Sequence, residues 1–163
     1  MHGPAVTPED RMQDAVALVE RIELRGRAIT PTIEAGFRSD GRLSLFFGDD
    51  PYYQFDPEGR LRRAFVDGQI FLTTGSGLKS LTRGRGTKAT ILVRHDLAST
   101  EAEQFLRTML DHVGRLRQAI ASGDLHTERQ VPAKGPIVQR LCRSLEAIVS
   151  ANGALAPPIN RTR

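Results

Sequence analysis

With 163 residues, 39% hydrophobic and 26% charged, the chain suits one domain and has no apolar run near the ~18 residues of a membrane helix. Cys142 is the only cysteine, which excludes an internal disulfide and suits a reducing compartment; the opening MHGPAVTPED has neither the basic start nor the apolar centre of a secretory signal. The net charge of +4 is unevenly spread: residues 1–59 hold 6 basic and 11 acidic side chains, and residues 60–94 hold 8 basic against Asp67 alone. The expectation is a cytoplasmic protein without a membrane partner, whose basic middle third either meets an anion or pairs with acidic neighbours across a sheet.

Thr7-Pro8-Glu9-Asp10 has the cap, proline and acids of a helix start. Met12, Ala15, Val16 and Val19 then follow at helical spacing, which predicts a short helix over 8–19. A nine-residue rhythm of turn signals comes next: Gly41, Asp50-Pro51, Gly59, Gly68, Gly77 and Gly86. Residues between these points alternate with period two, as in Leu43, Leu45 and Phe47, or Ile70 and Leu72. Eight strands are predicted, over 21–30, 33–39, 42–48, 52–56, 60–66, 69–74, 78–83 and 88–95. Links of a few residues exclude parallel crossovers, so neighbours run antiparallel in an up-and-down meander. FRSDGRLSLFF (37–47) and FDPEGRLRRAF (55–65) share Phe, an acid, Gly-Arg-Leu and a final Phe, one hairpin chemistry used twice.

After the sheet the period becomes 3.6. A capping box at Thr100 and Glu103 opens a long helix whose apolar face runs from Phe105 through Leu106, Met109, Leu110, Val113 and Leu116 to Ile120, ending near Ser122-Gly123. Pro136 opens a second helix, stopped by Asn152-Gly153. The fold class is therefore α+β: a curved antiparallel meander of seven to eight strands, barrel-like at its limit, with an N-terminal helix and two C-terminal helices. Residues 1–6 read as a leader, 7–123 as the main domain, 124–153 as a helical appendage and 154–163 as a basic tail.

Catalytic signatures are thin. TTGSGLKS (73–80) resembles a phosphate loop only superficially, because Leu78 separates Gly77 from Lys79 and the segment is a hairpin rather than a helix start. Asp49, Asp50, Asp56 and Glu58 sit at opposite ends of one short strand, which suits turns better than a cation site. The four histidines have no metal-ligand spacing, and His95-Asp96 lacks a nucleophile elbow. No catalytic residue, metal or cofactor is expected.

The candidates are cationic. Arg60, Arg62, Lys79, Arg83, Arg85 and Lys88 are the expected contacts for an anionic partner, nucleic acid first among them, and Tyr52-Tyr53 should leave one ring at the surface. Arg63 should share an inward face with Leu61 and Phe65. There it would pair with Glu34 or Asp56, reach the rim, or anchor an anion in a cavity. The leading expectation is a non-enzymatic binding module. The alternatives are a small-ligand carrier or barrel-type enzyme, with Arg63 anchoring a cavity under the long helix, and a scaffold with only a protein partner.

Overall fold

The computed structural model describes residues 18–27, 32–75, 77–84, 91–127 and 135–152, with the backbone alone for 82–84 and 91–94. Eight strands follow in chain order: β1 (Leu18–Gly26), β2 (Ile33–Arg38), β3 (Leu43–Phe47), β4 (Tyr52–Phe55), β5 (Leu61–Val66), β6 (Gln69–Thr74), β7 (Gly77–Gly84) and β8 (Ile91–Asp96). Helix α1 (Ser99–Ala121), strand β9 (Leu125–Thr127) and helix α2 (Pro136–Ala151) complete the described chain. Every neighbouring pair is antiparallel, in the order β8-β7-β6-β5-β4-β3-β2-β1-β9.

The glycine rhythm corresponds to tight turns. Gly41, Gly59, Gly68 and Gly77 all take positive φ, which a side chain resists and glycine does not. Gly59 has a second constraint, since a Cβ there would lie 2.5 Å from the Ala147 carbonyl of α2. Its own carbonyl accepts a hydrogen bond from Asn152 Nδ2 at 3.3 Å, so this hairpin end is docked on the helix.

Several expectations need correction. The sheet does not close into a barrel: β8 and β9 are its two ends, and β9 on the flank of β1 adds a ninth strand. Leu18 and Val19, the last two residues of the predicted helix 8–19, belong to β1; the rest of that predicted helix lies outside the described residues. Helix α1 begins with Glu101 rather than Glu103 turned back, its Oε1 accepting the Ala98 N–H at 3.0 Å.

One core lies between the sheet and both helices. Leu43, Leu45, Phe47, Tyr53, Phe55, Ala64 and Phe71 bury one sheet face against Met109, Val113 and Leu116 of α1 and Leu141, Leu145 and Ile148 of α2. At about 1.5–3 kcal/mol for each fully buried large apolar side chain, this face dominates the stability. The opposite face carries a smaller cluster of Phe46, Tyr52 and Phe65, with Ile70 packed against it and no helical residue among its members.

Candidate anion-binding face

The sheet register assembles two rows across the face turned away from the helices. One runs Arg21, Gly36, Ser44, Gln54, Arg63, Leu72, Lys79, Asp96, each residue directly opposite the next. The row beside it contains Glu34, Phe46, Tyr52, Phe65, Ile70 and Leu81. Directly opposed residues project to the same side of a sheet, so each row is a contiguous strip of side chains.

The aromatic row is a stack. Phe46 and Tyr52 lie 4.3 Å apart at 10°, and Tyr52 and Phe65 follow at 5.4 Å and 24°. Gln54 Nε2 donates to the Tyr52 hydroxyl at 3.1 Å, and that hydroxyl lies 3.4 Å from Ser44 Oγ. Ser44 and Gln54 are buried and share this network, as buried polar groups must. Tyr52 and Tyr53 are 3% and 1% exposed, so neither supplies the surface ring expected for stacking on bases.

Arg63 occupies a different place from the expected one. A register shift between Gln54 and Phe55 turns Leu61 to the helices and leaves Arg63 with Phe65 on the far face. It therefore cannot anchor a cavity under α1. Neither expected carboxylate reaches it: Glu34 pairs with Arg21 at 3.0 Å and Asp56 with Arg60 at 3.1 Å. The Arg63 guanidinium lies 4.9 Å from the Phe65 ring centroid, and its Nε is buried without a hydrogen-bond partner. Among the described residues it has no ion pair.

The other basic candidates divide. Arg60 is exposed and held by Asp56 and Glu58, its pKa raised chiefly by the Asp56 hydrogen bond. Lys79 is paired with Asp96, whose carboxyl the ammonium holds below its ordinary range. Arg62 is exposed in the irregular stretch of β5 and has no partner among the described residues. Arg83 is part of β7 by its backbone, and Arg85 and Lys88 lie outside the described residues. A cleft of about 530 Å³ opens elsewhere, at the C-terminal end of α1 beside Arg27, Arg115, Ser122 and Asp124, and none of these candidates lines it.

A half-buried Tyr53–His112 hydrogen bond, 2.8 Å, ties β4 to α1 and was not expected from the sequence. Both residues fall on core-facing positions of their elements, but nothing in the spacing pairs them. No protein-family model matches the chain, and neither curated proteins nor solved structures yield a match.

Proposed function

We propose that the protein is a non-enzymatic binding module that contacts an anionic partner through the basic strands 60–94, with nucleic acid the polyanion that this charge balance suits. The observation that supports this is Arg63. Arg63 is partly exposed and has no ion pair among the described residues, so an incoming oxyanion would give its guanidinium the charged acceptor that it lacks. Stacking on Phe65 holds the guanidinium over a fixed ring, so little freedom is lost on binding. Arg62, exposed and unpaired among the described residues, adds a second cation one position away. Phosphate contacts of this kind position a partner without reading its bases, in keeping with the burial of both tyrosines.

The test is a fluorescence-anisotropy titration with labelled single-stranded and duplex oligonucleotides at about 50–200 mM salt. Binding below ~100 μM at the lowest salt is expected, with affinity falling as salt rises. Replacing Arg62 by alanine and Arg63 by glutamine together should flatten the duplex salt slope by about two units and weaken all sequences alike. Absence of binding would replace this reading with the scaffold one, in which the pairs Arg60–Asp56 and Lys79–Asp96 balance charge within the sheet.

A further inference from the structure

The row that holds Arg63 continues to a second cation, and this extension, which rests on the anion-binding reading, narrows the ligand class. Arg63 is opposite Leu72, Leu72 opposite Lys79, and Lys79 opposite Asp96. The two cations therefore flank Leu72 on either side, their backbones two strand spacings or about 9.6 Å apart. Both side chains are long enough to converge above the leucine between them. Arg63, Leu72 and Lys79 are each partly exposed, whereas Ser44, Gln54, Tyr52 and Phe65 nearby are buried. Along this row the described residues are thus accessible at Arg21, which Glu34 pairs, and again from Arg63 to Asp96.

In this arrangement the Lys79 ammonium is already occupied by a carboxylate. The Lys79 side chain is 16% exposed and that of Asp96 is 81% exposed, so the pair sits with its acid in solvent. Exposed ion pairs are weak and exchange readily for a better acceptor. We propose that Arg63 and Lys79 form a two-cation subsite for one phosphate-type oxyanion above Leu72, with Asp96 as the resident competitor. The ligand takes Lys79 from Asp96 while the Arg63 fork binds two of its oxygens. The apolar floor of Leu72 and the Phe65 ring below the guanidinium reduce local hydration, which strengthens both contacts. The same chemistry fits free phosphate and the backbone phosphate of a nucleic acid.

The experiment is a calorimetric or NMR titration of two probes, inorganic phosphate and a single-stranded oligonucleotide, into the wild type and four variants. Asp96→Asn removes the competitor, and its melting temperature should fall only slightly, because the carboxylate is exposed and such a pair contributes little to stability. Affinity for at least one probe should rise about three- to tenfold in Asp96→Asn. Arg63→Gln and Lys79→Met should each lose about tenfold or more. Glu103→Gln makes the same charge change on α1, where Glu103 pairs with Arg107, and should alter affinity less than about twofold. Tightening for phosphate alone would identify free phosphate as the source, and tightening for the oligonucleotide alone the nucleic-acid backbone; either result supports the subsite. Equal gains from Asp96→Asn and Glu103→Gln would overturn it, leaving only a general field effect. Loss of binding in Arg63→Gln with none in Lys79→Met would also overturn it while sparing the anion-binding reading. No binding of either probe by any variant would remove both.

Discussion

The Tyr53 hydroxyl and His112 Nδ1 lie 2.8 Å apart, joining β4 to α1 across 59 positions of sequence. The Phe47 ring stands 5.5 Å from the imidazole, and both partners sit in the layer between sheet and helix. Tyr53 is pushed well above the usual phenol range by burial, with Asp50 adding to the effect, so its hydroxyl stays protonated. Burial also favours the neutral imidazole, whose tautomer sets which of the two groups donates.

That neutrality gives a pH dependence of known sign. Burial chiefly lowers the His112 pKa from its ordinary 6.5, with Arg115 lowering it further and Asp111 opposing. The unfolded chain then binds the proton more readily than the folded one. The stabilisation is complete above about pH 6.5 and declines as pH falls below it, until the folded imidazole titrates as well. Asp50, raised by burial, and Asp96, lowered by Lys79, act nearer the carboxylate range. Melting temperature should therefore fall on acidification between about pH 7 and pH 5. His112→Gln, which can still accept from Tyr53, should flatten that fall; an unchanged profile would exclude His112 as its source.

Two glycines of the turn series should respond unequally to a methyl group. Gly68 has φ 78, and a Cβ added there would meet nothing within 4 Å, so Gly68→Ala carries only the conformational cost, about 1 kcal/mol. Gly59 has φ 90, and its Cβ would meet the α2 backbone at 2.5 Å. Gly59→Ala should cost about 3 kcal/mol or more, because the hairpin or the helix must move. Chemical denaturation of both variants measures the difference; equal losses would mean that α2 does not constrain the turn.

Arg63 offers a stability test independent of any ligand. With no carboxylate partner among the described residues, Arg63→Met removes a buried unpaired N–H and leaves no charge stranded. The loss of the cation–π contact costs about 0.5–1 kcal/mol, and a Met–aromatic contact with Phe65 offsets part of it. The variant should match the wild type in thermal stability to within about 1 kcal/mol. A loss of several kcal/mol would identify a structural partner and remove the support for an anion site.

Strands were legible wherever turn chemistry and period two coincided, and the glycines at 41, 59, 68 and 77 marked hairpin ends with the expected positive φ. Strand β9 was not legible, since Leu125–Thr127 is three residues without room for alternation. The face of Arg63 was misassigned because alternation counts residues, and a bulge inserts one without changing the composition. Tyr52 illustrates a different limit: alternation separates its face from that of Tyr53 but does not say that Phe46 and Phe65 will stack on it. The cationic segment was visible as composition; Arg60 pairs within its own turn with Asp56, whereas the pairing of Lys79 with Asp96 and the lack of an ion pair at Arg63 depend on which strands adjoin.

The most direct test of the anion-binding proposal is a two-dimensional amide NMR titration of the full chain with an unlabelled single-stranded oligonucleotide at about 50 mM salt. The predicted result is a set of saturable shifts centred on Gln54, Arg63, Leu72 and Lys79, with α1 and α2 unaffected and the shifts abolished in Arg63→Gln. Shifts confined to the helices, or a spectrum that does not change, would contradict it.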